Sequence, residues 1–307
     1  MRKKLVGEKG RDMDFRTLLP ILVLTTFALL LVACGGASQS ADTPTPIPAT
    51  VFEVRVEEAV VYGTGGTLDG GQVELLLDLA IPDTGTDGPR PLFVHIHGGD
   101  FVQGSRWSQW DVAEKGWVAA SIDYRLAGDE PLPGPRVKPF FEAIGGESSS
   151  AHDRSLVASV EDTLVALDYL LSRADELNID TDRIVLKGES AGAFIALNVA
   201  YCADKFENSG PTIAAVIEIM GGISEIFCGG STAIDPGEAA VFMAHGTADQ
   251  DSTVHDAAKI VNGATTAGVT FDLHALRFPY TGGLEQTSHD GRKIDDLMYE
   301  FLNRVLY

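Results

Sequence analysis

Cysteine is scarce in this chain of 307 residues: three, at 34, 202 and 228, too few for a disulfide-built scaffold or a thiolate metal cluster. Basic residues are scarce as well. Lys and Arg number 23 against 44 Asp and Glu, for a net charge of −21. Residues 1–33 hold six of the basic and three of the acidic residues, which leaves −24 on the remainder. A surface of that sign excludes nucleic acid as a partner and electrostatic docking on anionic lipid. Internal repeats are absent, and the only long apolar run is Leu18 to Ala33. The 45% hydrophobic content is that of a globular protein with a sizeable core, in one large α/β domain or two small ones.

The apolar run reads as a targeting segment. Arg2, Lys3, Lys4 and Arg16 precede it, small residues follow it, and it is marginal for a spanning helix. Leu31-Val32-Ala33-Cys34 resembles a bacterial lipobox, which implies a lipoprotein signal peptide over 1–33 and lipidation of Cys34. A signal anchor with an incidental cysteine is the alternative. Residues 34–50 are rich in Gly, Ser, Thr and Pro and have nothing to bury, so they read as a tether. Lipidation would place the body, 51–307, on the extracytoplasmic face of the cell envelope. There Cys202 and Cys228 could form a disulfide or remain two separate buried thiols.

From Val51 onward, strand-like and helix-like segments alternate. "VFEVRVEEAVVY" and "QVELLLDLAI" read as an opening strand pair, and "PLFVHIHGG" and "WVAASIDY" as strands around a helix over 108–115. Val157, Val160, Leu164, Leu167, Leu171 and Ala174 fall at helical spacing and predict an amphipathic helix over 153–177. Strands at Ile184, "IAAVIEIMGG", "AVFMAHG" and "TFDLHALRF" alternate with helices from Ala191, over 253–267 and from about Lys293. This pattern predicts an α/β fold with a mostly parallel sheet of about eight strands and helices on both faces. The Pro-, Gly- and Ser-rich insertion 127–151 reads as a loop rather than a helical cap.

In "RIVLKGESAGAFIAL", Ser190 stands between Gly188 and Gly192 where a strand turns into a helix. A sharp turn there would strain the serine backbone and present its hydroxyl, with the glycines allowing close packing on both sides. The Ala191 N–H would face the same point from a helix N-terminus. G-x-S-x-G alone is weak in a chain with 33 glycines. The residues just past the other strands strengthen it. "HGGDF" comes after one strand, "HGTAD" after another and "SHD" after the last, so a nucleophile, an acid and a histidine occur in the order Ser, Asp, His.

Residues 53–307 therefore resemble an α/β-hydrolase of the esterase/lipase (carboxylesterase-like) family, carried by "HGGDF", "SIDYRL", "GESAG", "HGTAD" and "SHD". The resemblance implies the α/β-hydrolase fold, Ser190 as nucleophile, Asp249 as orienting acid and His289 as general base. Oxyanion N–H groups would come from Gly99, Asp100 and Ala191, with no metal and no cofactor. Many esterases carry a third glycine where this chain has Asp100, so its carboxylate must point away from the oxyanion. Asp251 rivals Asp249, and His274 rivals His289, although a mid-strand histidine is more simply a packed one. His95-x-His97 could suggest a metal, but no third ligand stands at suitable spacing; His97 would instead brace the glycine turn. Trp107, Trp110, Phe140 and Phe141 are candidates for pocket walls or for ordinary packing.

The function expected is hydrolysis of short-acyl esters, small or polymer-borne, because little sequence is left for a large lid. The alternatives are a serine peptidase on the same fold and a catalytically inactive lipid-anchored binding protein.

Overall fold

A computed structural model describes residues 51–83, 88–202, 210–228, 230–247, 254–276 and 286–307. Pro48–Tyr307 form one compact unit. The expected signal peptide, Cys34 and tether lie outside the described residues. No helix among the described residues is long and apolar enough to cross a membrane.

Among the described residues eight strands form one sheet: β1 (Val54–Gly66), β2 (Gln72–Pro82), β3 (Arg90–Ile96), β4 (Val118–Ile122), β5 (Ile179–Glu189), β6 (Ala215–Ile219), β7 (Ala240–Gly246) and β8 (Phe271–Leu276). Their order is β1-β2-β4-β3-β5-β6-β7-β8. The opening hairpin makes β2 antiparallel to both β1 and β4, while every later pairing is parallel. The carboxyl ends of β3, β5, β6 and β7 therefore share one edge, where open α/β sheets gather their chemistry.

Among the described residues eight α-helices accompany the sheet: α1 (Trp110–Ala113), α2 (Lys138–Ala143), α3 (Ala151–Ser172), α4 (Ala174–Leu177), α5 (Ala191–Cys202), α6 (Glu225–Cys228), α7 (Val254–Ala267) and α8 (Ile294–Leu306). Strand residues of alternate parity feed two cores. Leu92, Val94, Ile96, Ile184, Leu186 and Val216 pack with Val157, Val160 and Leu164 of α3 and with Ile195 of α5. Phe93, Val185, Ile217 and Phe242 pack on the other face, with Val112 of α1 and Leu297, Phe301 and Leu302 of α8. Both faces are buried, which is why the central strands read as continuous apolar runs. Each fully buried Leu or Phe contributes roughly 1.5–3 kcal/mol of transfer free energy.

Helix α3 starts where Ser150 accepts a hydrogen bond from the Asp153 N–H, and it stops short of the expected 177, with α4 following as a separate turn. The insertion 127–151 departs from the loop expectation. It folds into one-turn 3-10 segments and the six-residue α2, whose first turns accept Pro135 and Pro139. Proline is compatible with a first helical turn because that N–H has no helical partner. Burial of Val137 and Phe140 anchors the insertion to the core.

Candidate active site

Ser190 lies between β5 and α5 with φ +51°, a left-handed backbone that a non-glycine residue adopts only under constraint. The constraint comes from close approach. A Cβ on Gly188 would lie 2.1 Å from the Gly192 carbonyl oxygen, and one on Gly192 2.1 Å from that of Ile96. The turn is fastened by Ser190 N–H to Ile219 O (2.9 Å) and by Ala193 and Phe194 N–H groups to Ser190 O (2.9 and 3.1 Å).

The loop after β3 lies against this elbow. A Cβ on Gly98 would sit 2.7 Å from Glu189 O and 3.4 Å from the Ser190 Cβ. Gly99, Asp100 and Phe101 come next, with φ of +115°, +53° and +59°. Among the described residues, no acceptor takes the backbone N–H of Gly99, Asp100 or Ala191. Three unpartnered donors thus belong to the serine elbow and the loop packed on it, which is what an oxyanion needs. The Asp100 side chain is 81% exposed and accepts a hydrogen bond from His152 Nε2 (3.2 Å).

His97 is buried, stacks on Tyr124 (centroids 4.3 Å apart) and places Nδ1 2.7 Å from Gly98 O, bracing the glycine turn. His95 is buried beside it, with Nδ1 3.2 Å from Ser121 Oγ and its ring 4.0 Å from that of Trp107. Burial holds both imidazoles below their ordinary range, and Lys187 and His97 press His95 further down. Lys187 is buried and ion-paired to Glu189, the residue before Ser190.

His289 stands just past a bridge between Leu276 and Ser288; its N–H donates to Ala275 O (2.8 Å) and its side chain is exposed. The Ser288 hydroxyl donates to Asp290, and that bond holds the Asp290 carboxyl below its usual range. Among the described residues, no hydrogen bond joins the Ser190 hydroxyl to the His289 ring. Asp249 and its rival Asp251 lie outside the described residues. His274 is half-buried on β8, its ring 4.9 Å from that of Phe242, and burial lowers its pKa.

Strands β6 and β7 are joined by a pair that the sequence did not single out. Glu218 and His245 are fully buried, with His245 Nε2 2.8 Å from Glu218 Oε1, and Glu218 also accepts the Gly221 N–H. A lone glutamate in the apolar run "IEIM" was the signal that could have found it. Arg125 of "SIDYRL" was likewise unexplained by sequence. It is buried and bonded to Asp162, Glu161, Gly66 O and Leu132 O, tying the end of β4 to α3.

Cys202, ending α5, is paired with Cys228 of α6, with Cα atoms 5.6 Å apart. Trp107 and Trp110 are about half exposed, and Phe140 is buried. Phe141 lines a cavity of about 590 Å³ with Leu132, Pro133 and Val165 beside the Arg125–Asp162 pair; Ser190 is not among its walls.

An eight-stranded, mostly parallel sheet covered on both faces, with a strained serine at the turn from β5 into α5, is an α/β-hydrolase fold. Residues 146–226, which include Ser190, match the BD-FAE family model. Carboxylesterase NlhH of Mycobacterium tuberculosis is 28% identical over 191 residues, 59% of this chain and 50% of that protein. The probable N-octanoylanthranilate hydrolase AqdA2 of Rhodococcus erythropolis is 28% identical over 138 residues, 43% of this chain and 27% of that one. The matches thus span half or less of these relatives' own length. Among solved structures, esterase 2 of Thermogutta terrifontis phosphoramylated by tabun superposes with a TM-score of 0.60 at 20% identity, covering 86% of this chain and 97% of that one. Its butyrate-bound form gives 0.58 at 21%, covering 85% and 96%.

Proposed function

We propose that the protein is a serine carboxylic-ester hydrolase acting on short-acyl esters, small or carried on a polymer. The observation that carries this is the set of unpartnered N–H groups on Gly99, Asp100 and Ala191 around a strained Ser190. The similarity to carboxylesterase NlhH supports the same reaction class.

In this reading the Ser190 oxygen attacks the ester carbonyl as His289 takes its proton, and Asp249 keeps the imidazole tautomer without itself being protonated. The carbonyl oxygen becomes an oxyanion facing the three N–H groups; one such donor lowers the barrier by roughly 3–4 kcal/mol. His289 returns the proton to the departing alkoxide, leaving an acyl-serine. Water, deprotonated by His289, then releases the acid and regenerates the hydroxyl. The chemistry calls for no metal or cofactor.

Short acyl groups are favoured because the insertion between β4 and α3 supplies only short helices. Between β4 and α3 the longest is the six-residue α2, and it packs against the four-residue α6. The butyrate-bound state of the Thermogutta esterase is consistent with such a site. An alkyl chain left in water forfeits roughly 0.8 kcal/mol per CH₂.

The signal peptide, the lipidated Cys34 and the 34–50 tether would hold the enzyme on the extracytoplasmic face of the cell envelope. Support comes from the basic residues ahead of the apolar run Leu18 to Ala33 and from the lipobox-like Leu31-Val32-Ala33-Cys34 that ends it.

The test is turnover of p-nitrophenyl esters from acetyl to palmitoyl by the wild type and Ser190→Ala. The expected result is kcat/KM highest at acetyl to butyryl and lost in the variant, whose Tm stays unchanged. Specificity rising steadily to palmitate contradicts the acyl assignment, and turnover retained by Ser190→Ala contradicts the nucleophile.

A further inference from the structure

Asp100 and Phe101 are consecutive non-glycine residues in the left-handed region, at φ +53° and +59°. Aspartate tolerates that conformation; a bulky aromatic adopts it only when its surroundings impose it. The first turn of α3 supplies those surroundings. His152 Nε2 donates to the Asp100 carboxylate at 3.2 Å, and the His152 ring meets Phe101 edge-on, centroids 5.3 Å apart at 83°. One residue of α3 thus touches both strained residues of the loop.

Ser155, three positions on and so on the same helix face, donates to Arg125 O (2.7 Å) and reaches Phe101 O (3.3 Å), which also accepts the Ala127 N–H (2.8 Å). The Phe101 ring itself is buried. The loop is therefore gripped from α3 on its side-chain and carbonyl sides, while its Gly99 and Asp100 N–H groups stay unpartnered. The same hydrogen bond turns the Asp100 carboxylate toward α3, 81% exposed, at the position where a carboxylate aimed at a developing oxyanion would oppose the reaction.

We propose that His152 is a positioning residue of the oxyanion loop. It holds Asp100 and Phe101 in their left-handed conformation and steers the Asp100 carboxylate away from the oxyanion. This rests on the esterase reading of Ser190. His152 touches neither the nucleophile nor the expected base, so its effect is on the placement of the Gly99 and Asp100 donors.

The test is steady-state hydrolysis of p-nitrophenyl acetate by the full chain, with inhibition by a trifluoromethyl ketone, whose hemiketal with Ser190 carries an oxyanion. His152→Ala is expected to lower kcat about tenfold, below the 10²–10³ that outright loss of an oxyanion donor costs, with KM changed less than twofold. The inhibition constant should rise in parallel with the fall in kcat. His152→Gln, which keeps an N–H for Asp100, should recover part of the loss. Asp100→Gly removes the carboxylate and takes the left-handed backbone freely. In that background, His152→Ala should cost less than threefold. His152→Leu, which keeps bulk against Phe101 but cannot donate to Asp100, replaces His152→Ala as the test should the latter fail to fold, and the same fall in kcat is expected. An equal loss from His152→Ala in both backgrounds, a change in KM alone, or no change overturns the assignment. So does retention of activity by His289→Ala when His152→Ala abolishes it, since His152 would then be the base. A wild-type chain without turnover fails the esterase reading itself and takes this assignment with it.

Discussion

Ser190 combines two features that ordinary packing does not require: a φ of +51° and a backbone fixed through its N–H to Ile219 and its carbonyl to α5. A non-glycine residue held there costs on the order of 1–3 kcal/mol, supplied by the surrounding sheet. The histidines beside the elbow carry a second cost that depends on pH. Burial keeps His95 neutral, its pKa held well below the ordinary imidazole value of about 6.5. As pH falls below that value the unfolded chain gains a proton that the folded chain refuses, so stability falls with pH until the lowered folded pKa is reached. His97, shifted down for the same reason, adds to the trend. The urea midpoint is expected to drop between pH 7.5 and 5, and His95→Gln to show a shallower drop; an unaltered slope in the variant contradicts the assignment. Much of this site was legible in residues. Glycines 188 and 192 around Ser190 announced a close approach, and "HGGDF" announced a glycine turn, because a backbone that tight leaves a local signature. The His152 contact was not legible, and of the Glu218–His245 pair only the glutamate left a signal, since each contact joins side chains far apart in sequence whose partners only the fold defines.

At the scale of elements, the alternation of apolar strands and amphipathic helices carried the topology, for central strands buried on both faces and helices buried on one have different periods. The sheet order and the antiparallel placement of β2 came from pairing, which periodicity does not encode. The insertion 127–151 was misread as loop because proline and glycine dominate its composition; two prolines at helix starts and the buried Val137 and Phe140 fold it instead. It packs through α2 on α6, and α6 is tied to α5 through Cys202 and Cys228, 26 positions apart. A bridge closing a loop of that length stabilises by about 3 kcal/mol in the chain-entropy model. Protein recovered from the cell envelope is therefore expected to show no free thiol at either position by alkylation and mass spectrometry under non-reducing denaturation. Reduction should lower its Tm. Two alkylated cysteines without reductant would end the idea.

For the whole molecule, the arrangement is polar. Within Pro48–Tyr307 the parallel strands start at one edge of the sheet, and Ser190 and the loops around it occupy the edge where they end. A strongly acidic body does not adhere to anionic lipid, so the membrane attachment proposed above would have to come from a lipidated Cys34. Cys34→Ala is expected to move the enzyme into the soluble fraction with kcat/KM on p-nitrophenyl acetate unchanged. Retention of that variant in the membrane pellet would contradict lipidation at Cys34 as the means of attachment.

The central claim is that Ser190 is the nucleophile of an acyl-transfer site. It is tested most directly by treating the intact protein with a fluorophosphonate, from which an activated serine oxygen displaces fluoride while its proton leaves to the base. One adduct per chain is predicted, located by peptide mass spectrometry on the segment containing Ser190, appearing in step with the loss of ester turnover and absent from Ser190→Ala. An adduct on another residue, or complete modification of Ser190 with turnover intact, would contradict it.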